Sequence, residues 1–516
     1  MNIKFKIIDR GQPTPSGNSN TVFLKIDQWN DYSFITMFEV YAYDENCIGH
    51  DLPAIKIGFI GQTVATSTYS TLEKEFDQLN ENYFSVGTDV DYYRKLFTHF
   101  SAEWRENFLT RMRDVVKIPS ILNMAKNQAV FETSLLRSVS INTIKNQFTR
   151  VLSGDAPPTD FHFDFFLPGT PAFAEYDLEF LVKAGSLPST NIHAIIGRNG
   201  VGKTTILKEM VKAISGGENG GGAFYTKQAF FNSRKKLGRD FFSNLVSVAF
   251  SAFDPFDLPE PNESPSDGTP YSYIGLTDYS GEDGAILKSR KDLHKEFEDA
   301  LKFCLSETQR KERWCDAIYA LESDNNFAEM NLLELAKYDL EKLSEPALKR
   351  IEKMSSGHAI AILMITQLVA KVEEKTLVLI DEPESHLHPP LLSALIRSLS
   401  RLLNKQNGVA IIATHSPVVI QEIPKSCVWK LYRERVSAEK QRPEIETFGE
   451  NVGTLTREVF RLEVEKSGFH TLLSECVGSG QTYEDILARF GGSLGFEARG
   501  ILRAMTINRD SDIAHK

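Results

Sequence analysis

The spacing Gly197-Arg198-Asn199-Gly200-Val201-Gly202-Lys203-Thr204 constrains this chain more than any other feature. It reads GxxxxGK[ST]. The apolar run His193-Ala194-Ile195-Ile196 before it predicts a buried strand, and Thr204 to Ala213 after it predicts a helix. A chain that leaves a strand, curls on glycines and enters a helix turns several backbone N–H groups inward. The helix N-terminus adds the positive end of its dipole. Such a cradle suits a nucleoside triphosphate. Lys203 is placed to reach the β- and γ-phosphates, and the Thr204 hydroxyl to ligate Mg²⁺. The candidate ligands are therefore ATP and Mg²⁺, held by Gly197, Arg198, Asn199, Gly200, Val201, Gly202, Lys203, Thr204 and Thr205. The bland alternative is a Gly-rich turn that holds nothing.

Three further segments gain meaning beside that loop. Thr376-Leu377-Val378-Leu379-Ile380-Asp381-Glu382 suits a central parallel strand with carboxylates at its C-terminal edge, where such sheets bind ligands. Asp381 is the candidate metal ligand with Thr204, and Glu382 the candidate general base for an attacking water. Alone, the same run would be a strand ending in a solvated acidic turn. Gly408 to Ala413 reads as another buried strand, and His415 follows its end, placed to sense a γ-phosphate rather than to sit as a structural histidine. Met354-Ser355-Ser356-Gly357-His358 opens a helix that is apolar all round, so that helix should be buried. Ser355, Ser356 and Gly357 either cap it or offer its N-terminus to a phosphate.

The rest of the chain sets the frame. With 516 residues the length suggests about three domains. A net charge of −11 argues against a general nucleic-acid coat, which would be basic. No secretory leader and no uninterrupted membrane span is visible, and five scattered cysteines fit reduced thiols, so a cytoplasmic protein is expected. Residues 1–170 read as a β-rich region with a helical insert, 171–445 as the nucleotide-binding core, and 446–516 as a mixed α/β extension. Strands are expected at Thr21 to Ile26, Phe34 to Tyr43, Phe161 to Leu167, Tyr176 to Ala184 and Leu245 to Phe253. Residues 255–286 read as a long surface loop. Within the core, 288–353 reads as helices, able to make at most a pair of arms of about 30 residues, or roughly 45 Å.

Taken together these motifs resemble the ABC-type P-loop ATPases, with Met354-Ser355-Ser356-Gly357-His358 similar to their signature sequence. Asp381-Glu382-Pro383-Glu384-Ser385-His386-Leu387-His388-Pro389 and Thr414-His415-Ser416-Pro417 resemble the Walker B, D-loop and His-switch of one branch, with an AAA-type core. That branch includes ATPases similar to overcoming-lysogenization-defect nucleases and to the ATPase of Septu-type phage-defence systems. The resemblance covers about 190–425. It implies an α/β fold: an ABC-type head with a mixed central sheet, an N-terminal β-subdomain with a helical insert, and a short helical arm. It also implies ATP hydrolysis at composite sites, in which Ser355 and Gly357 of one copy touch the γ-phosphate held by Lys203 of another. A homodimer or higher oligomer, closing on ATP and opening on hydrolysis, would follow.

Departures from the pattern are visible. The expected Q-loop place reads Ser251-Ala252-Phe253-Asp254-Pro255, Gln228 is a poor substitute, and the signature carries Ser356 where a second glycine is usual. His386 and His388 have the HxH spacing of metal ligands, but the resemblance assigns them to the D-loop and the turn after it. Asp510-Ser511-Asp512 reads as a frayed tail rather than a nuclease motif, so if the chain serves DNA cleavage, the nuclease or other effector is expected on a separate protein. Arg234/Lys235/Lys236/Arg239 and Lys288/Arg290/Lys291 read either as solvated faces or as a nucleic-acid track. The functional readings are an ATP-hydrolysing switch gating an effector in anti-phage defence, a DNA repair or recombination ATPase of the same head type, and a non-hydrolysing ATP-sensing scaffold.

Overall fold

Alternation within the apolar strands decides the layers. In the computed structural model, Val378, Ile380, Ala410 and Ile412 face one core, while Leu377, Leu379, Val409 and Ile411 face another. Both faces of one sheet are covered, which is why these strands read as unbroken apolar runs. The structure describes all residues except 1–2, 28–33, 138, 140, 153–159, 172, 216–220, 228–233, 239–240, 251–257, 263–268, 280–285, 435–436, 466–467 and 515–516.

The N-terminal region carries its own core. Strands β1 (Lys4–Ile8), β2 (Thr21–Ile26), β3 (Met37–Tyr43), β4 (Gly49–Phe59), β5 (Glu75–Phe76) and β6 (Tyr83–Gly87) form a sheet in the order β5-β1-β2-β3-β4-β6. Helices between Val90 and Leu152 cover it, with Trp104, Phe108, Tyr92 and Phe131 fully buried.

A second sheet, antiparallel, holds β7 (Phe161–Leu167), β8 (Tyr176–Val182), β10 (Ala223–Lys227) and β11 (Arg234–Lys236), in the order β11-β10-β7-β8. β7 pairs with β8 along its whole length, so residue 170 falls inside a hairpin and the strand before it packs against the central-sheet core.

The central sheet contains β9 (Ile192–Gly197), β12 (Asn244–Ala249), β13 (Tyr271–Gly275), β16 (Thr376–Asp381), β17 (Val409–Thr414), β18 (Val428–Glu434) and β19 (Ser437–Gln441). Its order is β13-β12-β16-β17-β9-β18-β19, parallel except for β19. The fold class is thus α/β with a mixed central sheet, as expected. One face carries the helix Lys203–Ser215 and the second sheet; the other carries the helices Ser356–Lys371 and Pro389–Lys405.

Three expectations are corrected. Residues 255–286 are not all loop, because Tyr271–Gly275 is the edge strand β13 and a small hairpin of β14 (Thr277–Asp278) and β15 (Ile286–Leu287) follows; the Pro- and Ser-rich flanks hid them. The helices Arg290–Leu305 and Thr308–Leu321 are not an arm. Phe297, Leu301, Trp314 and Ile318 are buried against the central layer, Trp314 Nε1 donates to Thr366 Oγ1 at 3.0 Å, and Ser398 Oγ donates to Ala317 O at 3.1 Å. The stretch 446–516 shows helices and, among the described residues, no strand; its last three helices bury Leu473, Ile486 and Leu502.

Candidate nucleotide-binding and hydrolysis site

Strand register brings the candidate groups to one edge. Asp381 pairs with Ala413 and with Ala249, and Thr414 pairs with Ile196, so the C-terminal ends of β12, β16, β17 and β9 align. The loop Gly197–Gly202 leaves β9 at that edge and enters the helix Lys203–Ser215. Gly202 has φ +100°, and a Cβ there would lie 2.6 Å from the Phe173 ring, so glycine is required twice over. Tyr176 Oη donates to Val201 O at 3.1 Å and ties the loop to β8. Asn199 and Gly200 are exposed at its tip, as is Thr205 on the outer side of the helix.

Lys203 is buried, 4% exposed, and its Nζ donates to Gly197 O at 3.1 Å and Arg198 O at 3.2 Å. Burial pulls its pKa below the ordinary lysine value, while Glu382, Asp381 and Glu384 pull it back up. Its Nζ stands 3.8 Å from Glu382 Oε1. Glu382 adopts a left-handed backbone, φ +44°, with its N–H donating to Ala413 O at 2.9 Å. That turn throws its carboxylate back over the sheet edge. Thr204 and Asp381 line a common, mostly apolar cavity with Leu207, Val248 and Tyr273, so the two candidate metal ligands share one space. Neutral and anionic oxygens of this kind suit Mg²⁺.

His415 Nδ1 lies 3.5 Å from Glu382 Oε1 and 3.2 Å from Glu384 Oε1. Neither contact is an aligned hydrogen bond. Glu384 was not singled out from the sequence. Its Oε1 accepts from Thr414 Oγ1 at 2.6 Å, His415 N at 2.7 Å and Ser416 N at 3.1 Å, which pins the turn after β17. The signal that could have found it is its place two residues beyond the candidate base, next to a proline that fixes the turn.

The signature segment lies elsewhere. Ser355 is the N-cap of the helix Ser356–Lys371, and Ser356 is exposed. A Cβ on Gly357 would meet His386 O at 2.5 Å, so this glycine lets the helix start approach the segment after Glu382. Among the described residues, no hydrogen bond or ion pair joins Ser355, Ser356 or Gly357 to Lys203 of the same chain. The Q-loop positions Ser251 to Pro255, and Gln228, lie outside the described residues. The basic clusters are partly neutralised: Arg234 pairs with Asp177 at 2.7 Å and Lys288 with Glu296 at 2.6 Å, while Arg239 lies outside the described residues. Asp510 sits in the helix Phe496–Ala514 rather than in a frayed tail; the side chains of residues 511 and 512 lie outside the described residues. Among the described residues, no helix is long and apolar enough to cross a membrane.

Residues 320–421, which include the signature helix, β16 and His415, match the domain family described as "AAA domain, putative AbiEii toxin, Type IV TA system". Solved structures with a related arrangement include the ADP conformation of an ATP-binding cassette of an ABC transporter. It shows 15% identity over 56% of this chain and 93% of that one, with a TM-score of 0.29. The SMC head domain from Thermotoga maritima shows 12% identity over 55% and 99%, with a TM-score of 0.26. A full-length relative is protein ea59 of Escherichia phage lambda, which is 47% identical and aligns over 98% of this chain and 99% of that protein. The chain belongs to the family of protein ea59 of Escherichia phage lambda.

Proposed function

We propose that this chain binds ATP with Mg²⁺ between the Gly197–Gly202 loop and the edge of the central sheet, and hydrolyses it as a nucleotide-dependent dimer switch. One observation carries the reading: Lys203 Nζ and His415 Nδ1 stand 3.8 and 3.5 Å from the same Glu382 Oε1, at the ends of three adjacent parallel strands. The loop amides and Lys203 would hold the phosphates, and Thr204 and Asp381 the metal. When bound, Mg²⁺ supplies charge neutralisation for the phosphoryl oxygens. Lys203 would trade its two loop carbonyls for phosphate oxygens. Glu382 takes the proton of the attacking water, and His415, touching Glu382, reports on the terminal phosphate.

Ser355, Ser356 and Gly357 would complete the site of a second copy, which gives a homodimer or a higher oligomer. The switch would gate a separate effector, a nuclease or another protein, acting against phages. That part rests on the motif resemblance; a phage-borne relative fits a device carried by one phage against competitors.

Phosphate release and size analysis of the wild type, Lys203→Ala and Glu382→Gln, with and without ATP, test this. Slow turnover by the wild type, no binding by Lys203→Ala, and an ATP-held dimer of Glu382→Gln are expected. Equal phosphate release from the wild type and Glu382→Gln would remove the base. A size independent of ATP would remove the switch and leave a simple sensor.

A further inference from the structure

His386 and His388 part company in the fold. His386 Nε2 faces Phe250 O at 2.9 Å, whereas His388 turns the other way and meets two residues distant in sequence. Asp324 caps the short helix Asn325–Glu329, His358 lies in the first turn of the signature helix, and His388 caps the helix Pro389–Lys405. His358 Nε2 is 3.3 Å from Asp324 Oδ1, and His388 Nε2 is 3.4 Å from Asp324 Oδ2. One ligand atom from each of the three residues lies within 4.8 Å of the others.

Both contacts are long for charge-assisted hydrogen bonds, and His358 Nε2–Asp324 Oδ1 at 3.3 Å is an aligned hydrogen bond. A hydrogen bond from an imidazolium to a carboxylate closes to about 2.7–2.9 Å. Two ligand atoms on one tetrahedral ion with bonds of about 2.0–2.1 Å stand roughly 3.3–3.4 Å apart; the two rings face different oxygens of Asp324, so an ion would draw the three ligand atoms in from their present spread of up to 4.8 Å. The surroundings hold the ligands in place, as outer-shell partners of metal sites do. Ser355 Oγ lies 2.6 Å from His358 Nδ1 and turns the other ring nitrogen toward Asp324. The amides of Asn326 and Phe327 donate to Asp324 Oδ1 at 3.0 and 3.2 Å and fix the carboxylate plane. Asp324 and His358 are 8% and 6% exposed, while the His388 side chain is 45% exposed and gives a way in.

We propose that Asp324, His358 and His388 form a binding site for a divalent transition ion, with Zn²⁺ the best match to two imidazoles and one carboxylate. Three protein ligands leave a fourth position for water. Coordination at His388 Nε2 puts that ring's proton on Nδ1 and gives up the Leu391 amide contact, which at 3.4 Å is weak. The ion would clasp the start of the signature helix to the helical layer and to the segment after Glu382. Its effect on dimer closure rests on the ATPase reading above; metal binding does not.

Full-length protein, stripped by chelator and dialysed against Zn²⁺, should retain one ion per chain. Loaded with Co²⁺ instead, it should show the visible bands of a tetrahedral site. His388→Ala, at an exposed position, should bind at least about tenfold more weakly and Asp324→Asn likewise, while His386→Ala binds as the wild type does. Wild-type melting temperature should rise with Zn²⁺, and that of His388→Ala should not. Failure of the wild type to retain ions, or retention unchanged in His388→Ala and Asp324→Asn, would overturn the site. The first result leaves His358 hydrogen-bonded to Asp324 with His388 beside it, and the second moves the ion to another cluster such as His162, Asp164 and Glu179.

Discussion

Glu384 holds the turn after β17 from three donors, and its second oxygen, Oε2, is buried with no hydrogen-bond partner among the described residues. Removing the carboxylate leaves the Thr414 hydroxyl proton and the His415 amide unsatisfied, while the Ser416 amide keeps Thr414 Oγ1 at 2.9 Å. Glu384→Ala should therefore lose about 1–3 kcal/mol of stability in denaturant melts. It should also lower turnover more than ATP affinity, since His415 loses its anchor and Lys203 does not. An unchanged melt would show that water replaces the carboxylate fully. Glu382→Gln is a different case. The amide keeps the shape and loses the base, so hydrolysis should fall by about 10²–10⁴-fold with nucleotide binding intact. Binding isotherms beside single-turnover rates separate the two effects.

At the scale of elements, two junctions carry the argument. The helix Ser356–Lys371 begins against His386 O, and Gly357 is the residue that permits the approach. Gly357→Ala should push the helix start away from the D-loop segment and weaken ATP-dependent assembly while leaving ATP binding to the single chain. Loss of both together would point to global misfolding instead. The second junction is Lys430 of β18 with Glu458 of the helix Val452–Glu465, both buried, where Glu458 Oε1 also accepts the Glu444 amide at 3.0 Å. Removing one partner strands a buried charge, so Glu458→Ala should cost about 3–5 kcal/mol in chemical denaturation. A loss under about 1 kcal/mol would mean that the C-terminal helices detach without consequence for the core.

Across the whole molecule, the N-terminal region meets the core through charges. Arg313 pairs with Asp89 at 3.1 Å and Arg150 with Glu374 at 3.2 Å. Burial pushes Glu374 up to about 7, against the pull of Arg150. Burial likewise pushes Asp114 up to about 7, although Tyr93 donates to it at 2.9 Å. Both carboxyls keep a proton in the fold that the unfolded chain releases near its ordinary value. Their contribution to stability is thus full below about pH 4 and is lost as pH rises through about 7. His193 works the other way. Burial holds it down to about 3, so its contribution is present above about pH 6.5 and is lost as pH falls. Asp114→Asn should remove one falling component, so the variant should lose less stability than the wild type between pH 4.5 and 7. Parallel pH profiles of the melting temperature would contradict this.

The strands β9, β16 and β17 were legible because both faces of the central sheet are covered, which writes them as continuous apolar runs ending in Gly197, Asp381 and Thr414. The loop Gly197–Gly202 was legible as a strand-to-helix turn because its glycines and Lys203 recur at fixed local spacing. By contrast, the edge strand Tyr271–Gly275 hid among Pro- and Ser-rich neighbours, and amphipathic helices that could have projected were folded down by Trp314 and Phe297. The sequence by itself determined the local cradle and the edge at which each strand ends. Only tertiary structure decided which of those ends are neighbours, that Glu384 braces the turn bearing His415, and that His388 meets Asp324 and His358 rather than His386. Contacts between residues far apart in the chain depend on how layers pack, and no local spacing encodes that.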